Sequence, residues 1–241
     1  MPHLWIELWL MRMIGSLAGS SELLDRVMYL LLRNDLLKGV PFAAALLGLW
    51  AVSELSHQEA ERVSVLHIVL AAMAALIIGR IMQNVIDSAR PLMVPDIAAM
   101  YPAAVQGYQF DWNSFPSDHM ALYFAIALGT LWLRRTWGIV LLIWSLAGVA
   151  FPRLYVGYHY PLDILGGMAV ATVSSAILWW ARGWLSVPLC KIDHLATRYP
   201  AFGTAGMFCL CFQIATVFDS IRELGKFGCD GLRFVLTTLW Q

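Results

Sequence analysis

Charged residues are scarce in this chain: 13% of its 241 residues are Asp, Glu, Lys or Arg, whereas 60% are hydrophobic. A soluble domain carries nearly twice that share of charge, so an ordinary soluble fold is excluded. The formal net charge is zero, which leaves no basic surface for nucleic acid. The four cysteines follow neither a metal-ligand spacing nor a disulfide pattern. The composition therefore favours a membrane protein without a metal centre or a nucleic-acid partner.

Long apolar runs are what the chain has in abundance. They predict an all-α, polytopic membrane protein whose single domain is a six-helix transmembrane bundle. Several runs hold only 16–18 residues, which is short for a bilayer that needs about 20. The candidate spans are 37–54, 63–83, 119–134, 136–152, 160–182 and 202–219.

The N-terminal segment differs from the spans because charges interrupt its apolar runs. Its first run contains Glu7 and Arg12 beside two tryptophans, and a second amphipathic run begins near Ser20. Such runs are typical of helices that lie in the headgroup layer, or of surface helices packed on their own protein. We expect an amphipathic interfacial segment (1–35) followed by the six-span domain (36–241). No leader peptide is recognisable, since the charged, apolar and cleavage regions do not occur in order.

Polar residues suited to chemistry lie where the fourth predicted span ends and the fifth begins. Arg153, His159 and Asp163 fall within eleven positions of one another in an otherwise apolar stretch. Pro161 predicts a helix that begins just after His159, with Asp163 in its first turn. A carboxylate on one imidazole nitrogen fixes the tautomer and frees the other nitrogen to attack or bind. The alternative interpretation is a polar helix cap at the membrane interface.

The longest polar connection, 84–118, adds a second group of such residues. It contains Arg90 and leads through Ser117 and Asp118 to His119. Ser117 suits the N-cap of the next helix, whose free amides would form an anion site. With six spans, this connection and the His159 stretch lie on the same side of the membrane, so their side chains can converge.

These residue types suit phosphate transfer. Arg90 and Arg153 would neutralise the non-bridging oxygens of a phosphate group. His159 would attack phosphorus, and His119 would protonate the leaving oxygen and then activate water. Because the arginines carry the electrostatic role, we expect neither a metal nor another cofactor.

Three short segments, in order and at helix ends, contain most of these residues. They are Gln83-x6-Arg90-Pro91, Pro116-Ser117-Asp118-His119 and Pro152-Arg153-x5-His159-x3-Asp163. They resemble the motifs Lys-x6-Arg-Pro, Pro-Ser-Gly-His and Ser-Arg-x5-His-x3-Asp of the type 2 phosphatidic acid phosphatase superfamily, which consists of membrane lipid phosphatases. The resemblance covers about residues 80–182, the expected catalytic core.

The resemblance implies roles for individual residues. It implies His159 as the nucleophile, Asp163 as its orienter and His119 as the general acid. The implied phosphate ligands are Arg90, Arg153, Ser117, the amide of Asp118 and, in the position of the motif lysine, Gln83.

Three residues depart from the motifs. Gln83 replaces a lysine and removes a cation, for which Arg80, one turn earlier on the same helix face, could substitute. Asp118 replaces a glycine and places a carboxylate near the anion unless it turns toward an arginine. Pro152 replaces a serine and loses a hydroxyl donor. We interpret these changes as tuning of substrate or rate; the alternative is a degraded site in a lipid-binding relative.

The resemblance also implies a lipid phosphate as substrate. A polyprenyl carrier such as undecaprenyl diphosphate is the leading candidate; a glycerophospholipid or lipid A phosphatase or phosphotransferase is the alternative. Related haloperoxidases are soluble, so the predicted spans argue against vanadate chemistry. The family's usual location implies a bacterial plasma membrane with the site on its extracytoplasmic side. Lys and Arg are divided almost evenly between the two sides, so charge gives no orientation. The oligomeric state is open.

Overall fold

The computed structural model describes residues 5–101, 112–219 and 221, and helices make up most of this part. Within these residues there is no β-strand, apart from an isolated bridge between Ala89 and Asn113. The all-α prediction is confirmed. The helices are α1 (Trp5–Gly15), α2 (Glu22–Arg33), α3 (Asp35–Lys38), α4 (Val40–Leu55), α5 (Glu59–Val85), α6 (Pro95–Ala98), α7 (Asp118–Leu133), α8 (Arg135–Tyr155), α9 (Pro161–Trp180), α10 (Arg182–Arg198) and α11 (Pro200–Ala215).

Six of these helices are apolar, and they coincide with the six predicted spans to within a few residues at each end. Helices α5, α8 and α9 contain 27, 21 and 20 residues and are long and apolar enough to cross a bilayer. Helices α4, α7 and α11 are apolar but contain 16 residues each, a length of about 24 Å. The hydrocarbon core of a bilayer is about 30 Å thick. The membrane character is therefore clear, whereas the number of crossings stays a prediction.

Helices α5, α7 and α9 form the centre of the bundle and pack against one another. Small residues such as Ala72 of α5 and Ala121 of α7 are fully buried between them and allow a close approach. At Gly167 of α9 an added methyl group would clash with the carbonyl oxygen of Ser117. Glycine therefore lets the first turns of α9 lie directly against the start of α7, at the end of the bundle where the motif residues lie.

Helix α8 contains a π-helical segment, Ser145–Ala150. Pro152 follows it and has no N–H to donate to the carbonyl of Gly148, four residues earlier. π segments place an extra residue in a turn and are frequent near functional sites. Arg153 comes next, and its Nη1 donates to the carbonyl oxygen of Val149 at 2.8 Å. The irregular turn thus sets the direction in which the arginine leaves the helix.

The connection between the fifth and sixth predicted spans is itself a helix, α10. It mixes charged with apolar residues and contains Pro188, so it lacks the hydropathy of a span. A buried ion pair attaches it to α5: Arg62 Nε lies 2.6 Å from Asp193 Oδ1, and Nη2 donates to Oδ2 at 2.9 Å. Periodicity along the chain does not detect partners that lie 131 residues apart.

The N-terminal helices α1 and α2 pack on the end of α8, and α1 also contacts the start of α9. The carboxylate of Glu7, which is buried, accepts a hydrogen bond from the amide of Leu162 at 3.3 Å. The hydroxyl of Tyr155 donates to Asp25 Oδ1 at 2.6 Å. The outer faces of both helices expose apolar side chains such as Trp5. This exposure suits contact with lipid, and the interfacial location of the segment stays a prediction.

Candidate active site

The histidine that precedes α9 is held by that helix. Tyr160 occupies the N-cap position, Pro161 opens the helix and Asp163 lies in its first turn, as the sequence predicts. Asp163 Oδ2 lies 3.1 Å from His159 Nδ1 and accepts a hydrogen bond from the amide of Tyr160 at 2.8 Å. This arrangement favours a proton on Nδ1 and a lone pair on Nε2 of the imidazole.

Burial determines the charge of His159, whose exposed fraction is 0%. Burial first, and then the positive charge of Arg90, lower the pKa of His159 to about 4, although Asp163 acts in the opposite direction. The imidazole is therefore neutral near pH 7. Neutral imidazole with an unprotonated Nε2 is the form that a nucleophile requires.

Arg90 approaches the same nitrogen from the long connection. It is buried and directly precedes a 3-10 turn, Pro91–Met93. Its Nη1 lies 3.2 Å from His159 Nε2 and donates to the carbonyl oxygen of Tyr158 at 3.2 Å. Its guanidinium carbon lies 4.0 Å from the centre of the Tyr158 ring. A cation is thus fixed beside the atom that would attack phosphorus.

Ser117 and Arg153 bring further donors to this end of the bundle. The Ser117 amide donates to the carbonyl oxygen of Asp163 at 2.9 Å and so joins the start of α7 to the first turn of α9. Ser117 is the N-cap residue of α7, but its hydroxyl makes no capping bond. Within the described residues, Ser117 Oγ and Arg153 Nε are buried without a hydrogen-bond partner. Such groups are rare, and phosphate oxygens are suitable acceptors for both.

The side chain of Asp118 turns toward Arg80 of α5 and forms an ion pair with it. Its other oxygen, Oδ1, accepts from the amide of His119 at 2.8 Å and lies 2.8 Å from His119 Nδ1. Arg80 Nη1 donates to Gln83 Oε1 at 3.1 Å, and Gln83 Nε2 donates to the carbonyl oxygen of Pro116 at 2.7 Å. The His119 amide, which we expected to be free, is therefore bonded to Asp118. A direct phosphate contact from Gln83 stays a prediction.

Lys38, which lies outside the three motifs, adds a cation that sequence reasoning missed. It ends α3, is 8% exposed and pairs with Asp35 at 2.8 Å. Its helix, α3, packs against the π segment of α8, the helix that carries Arg153. Nothing in the sequence around Lys38 signals this contact, because it depends on how the two helices pack.

The sequence profile of the PAP2 superfamily matches residues 64–186, just over half of the chain. The chain belongs to the PAP2 superfamily. Undecaprenyl-diphosphatase BcrC of Bacillus subtilis (strain 168) is 30% identical over 160 residues, which are 66% of this chain and 76% of BcrC. YbjG of Escherichia coli (strain K12), whose name provisionally assigns undecaprenyl-diphosphatase activity, is 33% identical over 157 residues, or 62% of this chain and 71% of YbjG.

A shorter match concerns a different lipid. Phosphatidylglycerophosphatase B of Escherichia coli (strain K12) is 39% identical over 82 residues, which are 32% of this chain and 30% of that protein. No solved structure matches the chain. The PAP2 relatives confirm the family that the motifs indicate, and the chain is a membrane phosphatase that acts on phosphoric esters.

The three PAP2 motif segments meet at one end of the bundle, and every predicted site residue lies in the described part of the chain. His159 contacts both Arg90 and Asp163, and the backbone bond from Ser117 to Asp163 joins them to the start of α7. Residues 102–111 of the long connection lie outside the described residues. Within residues 5–101 and 112–219, no three His, Cys, Asp or Glu side chains are grouped to hold a metal ion. Metal independence stays a prediction.

Proposed function

We propose that this protein removes the terminal phosphate from an amphiphilic lipid phosphate through a phosphohistidine, with a polyprenyl diphosphate such as undecaprenyl diphosphate as the favoured substrate. The observation that carries the proposal is the setting of His159. Asp163 lies on Nδ1, and the guanidinium of Arg90 lies 3.2 Å from Nε2. A buried neutral imidazole beside a fixed cation suits attack on an anionic phosphate.

In the first step, His159 Nε2 attacks the terminal phosphorus in line. The bond between phosphorus and the leaving oxygen breaks, and that oxygen takes a proton from His119 Nε2. For a diphosphate the leaving group is the lipid monophosphate. Asp163 holds the proton on Nδ1 and stabilises the charge of the phosphohistidine.

In the second step, water attacks the phosphorus of the phosphohistidine. His119 Nε2 takes a proton from that water, the nitrogen–phosphorus bond breaks and inorganic phosphate leaves. Both histidines return to their initial protonation states, so the cycle consumes one water and needs no further reactant.

The phosphate ligands that we propose are those whose donors are available or whose charge is fixed nearby. The unpartnered Ser117 Oγ and Arg153 Nε support direct contact with the non-bridging oxygens. Arg90 supplies charge at the attacking atom. The amide of Asp118 and the side chain of Gln83 complete the set that the motifs imply.

The breadth of the matches favours a polyprenyl diphosphate. BcrC and YbjG, both named for undecaprenyl-diphosphatase activity, align with about two thirds of this chain. Phosphatidylglycerophosphatase B and a lipid A 4'-phosphatase of Porphyromonas gingivalis align with about one third. Hydrolysis or transfer of a glycerophospholipid or lipid A phosphate is the second candidate, supported by the 39% identity of the shorter match. We place the protein in a bacterial plasma membrane, with six crossings and an extracytoplasmic site.

Phosphate release by the purified protein in detergent tests the proposal. Undecaprenyl diphosphate, phosphatidic acid, phosphatidylglycerol phosphate and lipid A would be compared, each with and without EDTA. We expect undecaprenyl diphosphate to have the highest kcat/KM and release to persist in EDTA. Trapping of radiolabelled phosphate on the wild-type chain but not on the His159→Ala variant would support the phosphohistidine. His194→Ala is the matched control, because His194 lies on α10 beside Glu59, away from the motif residues.

Two results would contradict the proposal. Unchanged turnover in the His159→Ala variant would place the chemistry elsewhere. Activity that EDTA abolishes and magnesium restores would show that the arginines do not carry the electrostatic role alone. Preference for a glycerophospholipid or for lipid A would select the second candidate.

A further inference from the structure

The carboxylate of Asp118 is bonded to the catalytic histidine that follows it in the chain. Asp118 is the first residue of α7, and its side chain is 5% exposed. Its Oδ1 lies 2.8 Å from His119 Nδ1 and also accepts from the His119 amide at 2.8 Å. The side chain of His119 is 14% exposed. One oxygen of Asp118 therefore fixes both the backbone and the ring of His119.

A carboxylate at Nδ1 has a defined chemical consequence. It favours a proton on Nδ1, so that Nε2 is the nitrogen that exchanges a proton with the substrate. It also stabilises the imidazolium that must exist before His119 can protonate a leaving oxygen. The geometry repeats that of His159 and Asp163, in which the Nδ1–Oδ2 distance is 3.1 Å. The site thus contains two imidazoles, each with a carboxylate on Nδ1.

A carboxylate this near a phosphate site would repel the substrate unless its charge were balanced. Arg80 provides the balance through its ion pair with Asp118. Gln83 accepts from Arg80 and donates to the carbonyl oxygen of Pro116, just before α7. A lysine at position 83 could donate but could not accept from Arg80, and it would repel that guanidinium. The departures at positions 83 and 118 therefore belong to one network.

We propose that Asp118 is a positioning residue for the general acid His119, and that Arg80 and Gln83 hold its carboxylate in place and balance its charge. The inference deepens the proposed function and rests on it. The competing explanation is structural: an acidic residue in the first turn stabilises any helix through its dipole. In that case Asp118 would act on the folding of α7 and not on proton transfer.

The leaving group separates these explanations. A general acid contributes most when the leaving oxygen is strongly basic, as in phosphatidic acid, and least when it is weakly basic, as in p-nitrophenyl phosphate. We expect Asp118→Ala to lower kcat on phosphatidic acid by about 10-fold, which is less than the about 10²–10⁴-fold that a general acid contributes. On p-nitrophenyl phosphate we expect less than about a twofold change by the same reasoning. Asp118→Asn would fall between Ala and wild type, because an amide oxygen still accepts from Nδ1 but carries no charge.

A double-mutant cycle gives the stricter test. If Asp118 acts through His119, Asp118→Ala causes no further loss in the His119→Ala background. The matched control is Asp193→Asn, a buried aspartate that pairs with an arginine at the other end of α5. That variant should lose thermal stability while the ratio of activities on the two substrates stays the same.

Equal losses on both substrates for Asp118→Ala, or a full further loss in the His119→Ala background, would overturn the inference. Failure of the proposed function has a different signature, since the His159→Ala variant would then keep its turnover. If His159→Ala is inactive and Asp118→Ala acts independently of His119, the phosphohistidine mechanism holds and the positioning role of Asp118 is wrong.

Discussion

Helix α5 contributes an arginine to an arginine–aspartate pair near each of its ends, and the two pairs differ in what else their carboxylates contact. Arg62 and Asp193 form a bidentate pair with side-chain exposures of 9% and 0%. Arg80 and Asp118 lie about 27 Å away along the same helix, with exposures of 29% and 5%. The first carboxylate is bonded to the arginine through both of its oxygens, whereas the second shares its oxygens between the arginine and His119.

The comparison shows that the same two residue types can serve to join helices or to support chemistry. Arg62 also donates to the carbonyl oxygen of Ser53 at 3.3 Å, so its pair links three segments of the fold. Arg80 keeps its Nε without a hydrogen-bond partner among the described residues. The Arg62–Asp193 pair is closed and suits stability, whereas the Arg80–Asp118 pair is partly open and suits a carboxylate that must also hold His119.

The largest loss of activity should come from changes at the end of the bundle that holds the motif residues. His159→Ala should lower kcat by at least about 10³-fold, because it removes the proposed nucleophile. Asp163→Asn should lower kcat by about 10²–10⁴-fold, because the imidazole loses the anion that sets its tautomer. Turnover and radiolabel trapping with polyprenyl diphosphate measure both. Label trapped on the His159→Ala chain would contradict the assignment, and folding is checked by thermal melting.

Changes to the closed pair, Arg62 and Asp193, should alter stability and not catalytic activity. Arg62→Met or Asp193→Leu alone leaves a buried charge without its partner and should cost about 3–5 kcal/mol. The double variant should recover much of that loss, because two apolar side chains can replace a buried pair. Denaturation in detergent measures the effect. A double variant as unstable as the sum of the single variants would show that the pair is not acting as a unit.

The pKa of His159 also distinguishes the two regions, since the Arg62–Asp193 pair contains no histidine. Burial lowers its folded-state pKa to about 4, so the neutral ring is favoured in the folded protein. The stability from this group is fully present above the unfolded pKa of about 6.5 and is lost as the pH falls toward 4. Nitrogen-15 NMR of histidine side chains, with His159→Gln for assignment, should show a ring that stays neutral at pH 5.5. A midpoint near 6.5 would contradict the effect of burial.

Loss of the counter-charge at Asp118 should raise KM for the lipid phosphate. Arg80→Ala should raise KM for a lipid phosphate several-fold, because the carboxylate near the anion loses its counter-charge. Removing that carboxylate as well, in Arg80→Ala with Asp118→Ala, should restore KM while kcat stays low. If the double variant has the higher KM of Arg80→Ala, Arg80 acts on the substrate directly.

The smallest effect should come from Lys38, which is near Arg153 but belongs to no motif. Lys38→Met should raise KM by up to about fivefold, which corresponds to about 1 kcal/mol. The matched control is Lys191→Met, because Lys191 is exposed on α10, the helix of the closed pair. Equal changes in both variants would mean that Lys38 acts only on overall charge.

Local patterns predict the parts of this molecule that depend on neighbours in sequence. The apolar runs locate six helices, and Pro161 locates the start of α9 and so the contact of Asp163 with His159. The motif segments lie at the ends of predicted spans, so a six-span topology puts them on one side of the membrane, where they can converge. Arg80 could be named as a candidate cation because it shares a helix face with Gln83.

Contacts between distant segments explain what sequence patterns could not predict. Because α10 contains charged residues, a search for apolar runs does not find it. The pairing of its Asp193 with Arg62 is known only from the folded chain. Glu7 has the pattern of a charge on an interfacial helix, yet its carboxylate bonds to the first turn of α9. Lys38 is placed by the packing of α3. In each case a polar side chain has a partner that no periodicity specifies.

The π segment Ser145–Ala150 has a consequence for insertions and deletions in this part of the chain. A π turn contains one residue more than an α turn, and one residue corresponds to a rotation of about 100° around a helix axis. A deletion that turns the π turn into a regular α turn would leave Arg153 near its present side, whereas a deletion that kept the π turn would swing Arg153 away by that angle. A relative that builds this helix without the π segment must therefore have one residue fewer between Trp144 and its arginine. An alignment that ignores the irregular turn would place that arginine one position out of register.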